Sequence, residues 1–187
     1  MLIDLEKAND DIKLEAEVCV VGAGAAGVAL ARDLMNAGRE VCLLEAGGMD
    51  YDERTQSLTK GNIIGMEYYE LDHSRLRFFG GTTNIWGGRS IPLDRIDFEK
   101  RDWVPHSGWP ITLDELQPFY KIAHDSLDLG DYDYESGNWE KLNLRPLNFD
   151  PGKITHRFWR FDELKERFNS RRSADLVQSK NVQIVLH

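Results

Sequence analysis

The chain has 187 residues, with 23 Lys and Arg against 32 Asp and Glu, which gives a formal net charge of -9. This acidic balance argues against nucleic-acid binding, because such a protein needs a basic face to displace counterions from phosphates. No apolar run approaches the roughly 20 residues of a membrane span, and residues 1–6 lack the basic and apolar regions of a secretory signal. We therefore expect no nucleic-acid or membrane partner, and a cytoplasmic location.

The first fifty residues predict a complete βαβ unit. Residues 18–21, Val-Cys-Val-Val, form a short β-branched apolar run that is typical of a strand buried on both faces of a parallel sheet. A glycine-rich turn leads into a helix with a small apolar face that ends at Gly38, a suitable C′ residue. Residues 41–44 are a second buried strand. Cys19 and Cys42, one in each strand, are expected to be buried, reduced thiols without chemistry.

The glycine spacing in this unit is typical of dinucleotide binding. Gly22 permits the tight turn, Gly24 lets the backbone approach a pyrophosphate, and Gly27 lets the helix lie close to the strand. The helix N-terminus offers N–H groups and a positive dipole end to the anion. Glu45 is placed to accept hydrogen bonds from a ribose diol, and its charge disfavours the 2′-phosphate of NADP. The predicted cofactor-binding residues here are Gly22, Ala23, Gly24, Ala25, Ala26, Gly27, Glu45 and Ala46.

A second glycine cluster lies within residues 76–92, where two Gly-Gly pairs flank a Thr-Thr-Asn core. Glycine costs too much backbone entropy, and packs too little, for this segment to be a regular helix or a central strand. We interpret it as a loop whose backbone closely approaches a ligand; a structural turn with aromatic plugs is the alternative. Arg77 is expected either to contact the pyrophosphate or to be a solvated charge. The predicted cofactor-binding residues here are Arg77, Gly80, Gly81, Thr82, Asn84, Ile85, Trp86, Gly87 and Gly88.

Together, the two glycine clusters resemble those of the glucose-methanol-choline (GMC) family of FAD-dependent oxidoreductases. Glu45-Ala46-Gly47 is more similar to FAD-binding proteins than to NAD dehydrogenases, and the second cluster, 80–88, lies along the pyrophosphate and isoalloxazine ring in that family. Residues 107–110 and 116–120 are similar to the branch of bacterial sugar oxidases, dehydrogenases and pyranose-oxidase-like enzymes. The resemblance implies FAD as cofactor and oxidation of a CH–OH group of a sugar or other alcohol by hydride transfer to flavin N5.

The chain departs from the GMC pattern at three positions. Trp86 stands where Asn or His is usual, and Phe79 stands where an aliphatic residue is usual. Members that tether FAD covalently carry a His at the position of Ile85, so FAD is expected to bind non-covalently.

In the family, the segment that matches residues 50–75 covers the cofactor as a lid-like loop; an ordinary surface connection is the alternative.

The segments after residue 92 indicate a second, substrate-side region. Thr112 and Glu115 form a capping box for a helix. Residues 131–135 are interpreted as an acidic loop, and no metal site is predicted. Residues 156–161 are expected to form a strand or sheet edge within this region. The helix carries an apolar stripe expected to face a core, made of Leu116, Phe119, Tyr120 and Ala123.

Three further elements are predicted near the end of the sequence. Asp162 can cap a short helix that runs through Phe168, and Ser173 can open another that runs through Val177. Residues 182–186 have a strand-like pattern, and in the family such a strand rejoins the sheet of the FAD domain.

The predicted fold class is α/β, with a Rossmann-type FAD-binding βαβ unit on a parallel sheet and the start of a substrate-binding α+β region. The predicted domains are residues 1–92 (N-terminal part of the FAD-binding domain), 93–175 (start of the substrate-side or cap region) and 176–187 (strand returning to the FAD domain). Three predicted strands are too few for a doubly wound sheet. The chain is therefore expected to be the N-terminal part of a larger enzyme: a truncation, a processed product or a split subunit.

No catalytic residue is predicted in this chain. GMC enzymes carry the general base in a C-terminal segment, and none of the five histidines matches that position. A second chain or a C-terminal segment is expected to complete the site around a small sugar or alcohol substrate. Two alternatives remain: another flavoenzyme, such as an amine oxidase or monooxygenase, and a non-enzymatic flavin- or nucleotide-binding subunit that needs a partner chain.

Overall fold

The computed structural model describes residues 1–8, 11–134, 138–150, 152–162, 168–169 and 171–187. The strands in these residues are β1 (Leu2–Asp4), β2 (Val18–Val21), β3 (Val41–Glu45), β4 (Arg89–Ser90), β5 (Arg160–Phe161) and β6 (Val182–Leu186). The α-helices are α1 (Ala25–Asn36), α2 (Glu53–Ser57), α3 (Leu71–Ser74), α4 (Arg95–Phe98), α5 (Leu113–Ser126), α6 (Asn138–Lys141) and α7 (Ala174–Gln178). Short 3-10 helices cover Leu5–Lys7, Gly81–Asn84 and Arg171–Ser173.

The chain separates into two compact units. The first unit consists of Met1–Trp86 with Lys165–His187, and the second consists of Gly87–Leu164. Among the described residues, no helix combines the length and the apolar character that a membrane crossing requires.

A four-stranded parallel sheet in the order β1-β6-β3-β2 forms the first unit. Strand β3 pairs with β2 on one side and with β6 on the other, so Val41 lies opposite both Val18 and Val182. Parallel neighbours need a crossover connection, and α1 supplies it between β2 and β3. The predicted α/β class and the strand at 182–186 are thus confirmed. Strand β1, which pairs with β6, was missed by the sequence analysis.

Helix α1 covers the sheet with its predicted small apolar face. Val28 and Ala31 are fully buried against the strands, and Leu34 and Met35 pack around them. The helix ends at Asn36, and Gly38 follows with φ +73°, as a C′ glycine should. The core of this unit is made of Val20, Ala23, Val28, Ala31, Val41, Leu43, Phe79, Leu176, Val182, Ile184 and Leu186.

The expectation that β2 is buried on both faces is wrong: β2 is an end strand of the sheet, and the residues of only one of its faces are covered. Val20 is buried, whereas the side chain of Val21 is 81% exposed. Cys19 is exposed and Cys42 is buried, so the expected burial holds for Cys42 alone; both are free thiols. Burial, together with the neighbouring Cys19, raises the pKa of the Cys42 thiol.

In the second unit, β4 and β5 form an antiparallel pair with Arg89 opposite Phe161, which places a short strand within the predicted 156–161 segment. Helix α5 begins at the predicted capping box: the Glu115 N–H donates to Thr112 Oγ1 (3.3 Å), and the Thr112 N–H donates to Glu115 Oε2 (2.7 Å). The Thr112 N–H, together with the Thr112 hydroxyl that also donates to Glu115 Oε2 (2.8 Å), lowers the pKa of Glu115.

The expectation that the stripe of α5 faces a core holds only in part, since Leu116 and Tyr120 are half-buried. Phe119 is 64% exposed and Ala123 is exposed, whereas His124 is the buried residue of this helix. An amphipathic pattern predicts which face is apolar, but burial of that face requires a neighbouring element to cover it.

Short helices lie in residues 50–75 and directly after Ser173. Helices α2 and α3 lie within residues 50–75, so this connection has local structure of its own. Helix α7 begins directly after Ser173, as predicted. The predicted helix from Asp162 through Phe168 lies mostly in residues 163–167, outside the described residues.

We predict that Gly27→Ala destabilises the first unit. A Cβ at this position would overlap the carbonyl oxygen of Gly22, which belongs to the backbone and has no room to yield. We expect the free energy of unfolding to fall by about 2 kcal/mol or more, as for overpacked core positions. Gly24→Ala is the matched control, because a Cβ there meets nothing within 4 Å. Urea unfolding of both variants tests this, and equal stability of the two would contradict it.

We also predict an acid-labile contribution from Asp4. The Lys7 ammonium at 2.7 Å and the His187 imidazole at 2.8 Å lower the Asp4 pKa from 3.8 to about 2. Because the folded pKa lies below the unfolded one, this stabilisation is complete above about pH 4 and is lost as the pH falls towards 2. Thermal unfolding across this range should show a smaller loss of stability in Asp4→Asn than in the wild type, and parallel curves would refute the assignment.

Candidate functional site

The first glycine turn has the geometry that its sequence predicts. Gly22 has φ +97°, and its N–H donates to the Leu44 carbonyl (2.7 Å), which anchors the turn to β3. Gly24 is the N-cap of α1, and a Cβ built on it meets no atom within 4 Å. The first turn of α1 has neither a side-chain cap nor an acidic residue. The space beside Gly24 is thus open, and the positive end of the helix faces it.

The Glu45 carboxylate is fixed at the C-terminal end of β3. Its Oε2 accepts a hydrogen bond from the Ala23 N–H (2.7 Å), and its Oε1 accepts one from the Gly47 N–H (3.1 Å). Each oxygen keeps further acceptor capacity. The carboxylate therefore holds the glycine turn in place and presents lone pairs beside it.

The second glycine cluster packs directly against the first. The Gly80 N–H donates to the Ala23 carbonyl (2.7 Å), and Gly80 forms an isolated parallel bridge with Gly24. Phe79, whose N–H donates to the Gly48 carbonyl (3.0 Å), is fully buried in the core. Gly80 and Gly81 have φ values of +90° and +55°, a conformation that disfavours other residues. The fold thus brings together two motifs more than fifty residues apart.

Polar side chains within this loop are used to shape it. The Asn84 Nδ2 donates to the carbonyls of Phe79 (3.0 Å) and Gly81 (2.8 Å), and Thr82 Oγ1 accepts from the Leu76 N–H (3.2 Å). Thr83, which the sequence analysis left out, donates its hydroxyl to the Gly80 carbonyl. The structure therefore gives these side chains a role in loop conformation, and their contact with a cofactor stays a prediction.

Arg77 lies beside the Glu45-Ala46-Gly47 segment through its backbone. Its carbonyl fills the space where a side chain at Gly47 would stand, which explains the glycine there. Its side chain is partly buried, with Nε lacking a hydrogen-bond partner among the described residues. Both roles considered for the Arg77 side chain, contact with the pyrophosphate and a solvated charge, stay predictions. Ala46 is exposed next to the fixed carboxylate.

Gln56 is a structural residue that the sequence analysis missed. Its side chain is almost fully buried, and its Nε2 donates to the carbonyls of Asp72 (2.7 Å) and Arg75 (2.6 Å). Its Oε1 accepts from the Arg77 N–H (3.0 Å). Gln56 therefore ties the 50–75 segment to the start of the second glycine cluster. No sequence pattern marks it, because its partners lie 16 to 21 residues away.

The remaining predicted residues divide between the two units. Ile85 is 57% exposed, and the Trp86 ring lies 6.4 Å from that of Phe168. Gly87 and Gly88 belong to the second unit, where the Gly88 carbonyl accepts from the Asp162 N–H (2.8 Å). The predicted residues that belong to the first unit are those at 22–27, 45–46, 77, 80–82 and 84–86.

The first unit has the chemistry that the diphosphate and ribose of a dinucleotide require. The open space at Gly24, the uncapped start of α1 and the fixed Glu45 carboxylate lie next to one another. Helix N-termini bind phosphates, and an acid after the second strand binds a ribose diol. In the described part of the chain, no three His, Cys, Asp or Glu side chains are grouped closely enough to hold a metal ion.

We predict that Gly24→Val weakens flavin binding and keeps the fold. The valine side chain would occupy the open space at the helix start and keep the pyrophosphate from the backbone N–H groups. We expect the FAD dissociation constant to rise by roughly tenfold or more, a loss of about 1.4 kcal/mol or more. Quenching of flavin fluorescence measures this, and circular dichroism verifies the fold. A folded variant that binds FAD as tightly as the wild type would refute the placement of the pyrophosphate.

Comparison with known proteins agrees with this geometry. The model of the FAD dependent oxidoreductase (DAO) family matches residues 17–159, which include both glycine clusters. The chain is also similar to the 6'''-hydroxyparomomycin C oxidase of Streptomyces lividus, with 33% identity over 127 residues, 59% of this chain. The match spans 22% of that relative's length. With both glycine clusters inside the matched region, the chain belongs to the FAD dependent oxidoreductase family.

Proposed function

We propose that this chain is the FAD-binding part of a GMC-type oxidoreductase that oxidises a CH–OH group of a sugar or other alcohol. The observation that carries the proposal is the junction of the two glycine clusters at Ala23 and Gly80 beside the open space at Gly24. The order and content of the two clusters resemble the GMC family. The oxidase relative, named for a hydroxylated compound, supports an alcohol as the electron donor.

Three parts of the first unit have separate tasks in this proposal. The backbone at Gly24 and the first-turn N–H groups of α1 bind the pyrophosphate. Glu45 binds the ribose while its other lone pairs hold Ala23 and Gly47. Gly80 and Gly81 let their backbone approach the flavin half closely, since neither carries a side chain. When bound, FAD supplies the acceptor for the hydride of the carbinol carbon.

The proposed reaction also needs a base for the hydroxyl proton, and two of the described histidines, His124 and His187, are already engaged by other groups. His124 is buried, with Nδ1 facing the Gly130 carbonyl (3.0 Å) and Nε2 facing the Tyr134 hydroxyl (2.8 Å). His187 contacts Asp4 through Nδ1 (2.8 Å). We propose that a second chain or a C-terminal segment provides the base.

Anaerobic flavin reduction tests the proposed reaction. The protein, isolated with any polypeptide that accompanies it in its host, is loaded with FAD and mixed with a neutral hexose, a simple alcohol or a primary amine. We expect the hexose or the alcohol to bleach the blue-region flavin absorbance. Bleaching by the amine alone would indicate an amine oxidase, and no bleaching by any donor would favour a non-enzymatic flavin-binding subunit.

Acid precipitation tests the proposed non-covalent attachment of FAD. Because Ile85 stands where covalently flavinylated GMC members carry a histidine, this position offers no nucleophile to the flavin. We expect all flavin to remain in the supernatant after the protein is precipitated. Flavin in the pellet would show a covalent bond and refute this part of the proposal.

A further inference from the structure

The second unit contains a cleft of about 870 Å³ whose lining belongs entirely to that unit. Its walls come from residues 92–96, one face of α5, residues 132–134, and Thr155 with Arg157. Volumes of roughly 300–1,000 Å³ are typical of small-molecule sites. Neither glycine cluster contributes to this cleft, and the cofactor chemistry described above does not use it.

One face of helix α5 lines the cleft and presents two polar side chains to it. Leu113, Gln117 and Lys121 lie four residues apart and therefore share one face of the helix. Gln117 and Lys121 are exposed, so their amide and ammonium groups are available to a ligand. Within the described residues, Lys121 takes part in no ion pair.

A rigid aromatic wall lies within the same cleft. The rings of Tyr132 and Tyr134 are 5.6 Å apart at 73°, and both also pack edge-on against His124. Because His124 Nδ1 faces the Gly130 carbonyl, Nδ1 carries a proton and donates to that carbonyl, and Nε2 shares a hydrogen bond with the Tyr134 hydroxyl. Burial raises the pKa of both tyrosines, so both keep their hydroxyl proton at neutral pH. The buried histidine thus fixes the position of the wall.

The charges that line the cleft are largely paired. Arg157 contacts Asp94 at 2.6 Å, which joins two of the walls, and Arg95 contacts Asp114 at 2.7 Å. A highly charged ligand would have to compete with these pairs. A purely apolar ligand would offer no hydrogen-bond partner to the exposed polar groups of Gln117, Lys121 and Thr155.

We propose that this cleft binds a neutral saccharide. The CH face of a pyranose packs on aromatic rings, while its hydroxyls exchange hydrogen bonds with amide, ammonium and hydroxyl groups. Tyr132 supplies the ring, and Gln117, Lys121 and Thr155 supply the polar partners. The choice of a sugar as the ligand class rests on the proposed function. Binding of a sugar in the cleft needs no flavin.

Saturation-transfer NMR on the full chain without added FAD tests the proposal with D-glucose, D-glucuronate and D-glucosamine as probes. We expect saturable binding of glucose that is at least roughly tenfold weaker in Gln117→Leu and in Lys121→Met. Lys100→Met is the matched control, because Lys100 is exposed in the same unit and lies outside the cleft. Both tested side chains are exposed on α5, and circular dichroism verifies that the variants fold.

The outcomes of this experiment distinguish a failure of the proposed saccharide site from a failure of the proposed reaction. Glucose binding that weakens in the two cleft variants and not in Lys100→Met supports the proposal, even if no sugar ever reduces the flavin. Absence of saturable glucose binding, binding of the charged sugars alone, or equal binding in all variants overturns it. Sugar-dependent flavin bleaching with unaltered kinetics in the cleft variants would support the proposed function and count against this site.

Discussion

The candidate site depends on the backbone of one buried residue, Ala23. Its N–H donates to the Glu45 carboxylate, and its carbonyl accepts from the Gly80 N–H. Through these two hydrogen bonds of 2.7 Å, the turn after β2, the end of β3 and the second glycine cluster are joined at one residue. Buried backbone groups must find partners, so the same bonds that satisfy Ala23 also set the position of the site.

The glycines around this junction are required for different physical reasons. Gly22 and Gly80 have positive φ, Gly27 and Gly47 leave room for a neighbouring carbonyl, and Gly24 borders empty space. A substitution at the first four acts on the folded chain itself. Gly24 is the position where a side chain fits the protein and obstructs only a ligand. The first glycine cluster therefore contains both glycines that the fold requires, Gly22 and Gly27, and one that leaves room for a ligand, Gly24.

Features encoded by near neighbours in sequence could be predicted. The βαβ unit, the capping box at Thr112 and Glu115 and the strand at 182–186 each follow from local periodicity or spacing, and the structure contains all of them. Features that depend on distant partners could not be predicted. Strand β1 exists through its pairing with β6, and Gln56 is buried because it satisfies backbone carbonyls 16 and 19 residues away. The contact between the two glycine clusters likewise could not be predicted, because it joins residues more than fifty positions apart.

The position of β2 at the end of the sheet has a practical consequence for handling the protein. Its Val-Cys-Val-Val sequence has high β propensity, no charge and no proline, and Val21 is largely exposed. Such edges are templates for strand addition between molecules. Glu15 and Glu17 lie just before the strand, where charged residues disfavour such association, and they pair with Lys13 and Arg39. Solubility should therefore depend on the negative charge that these two residues place beside the strand.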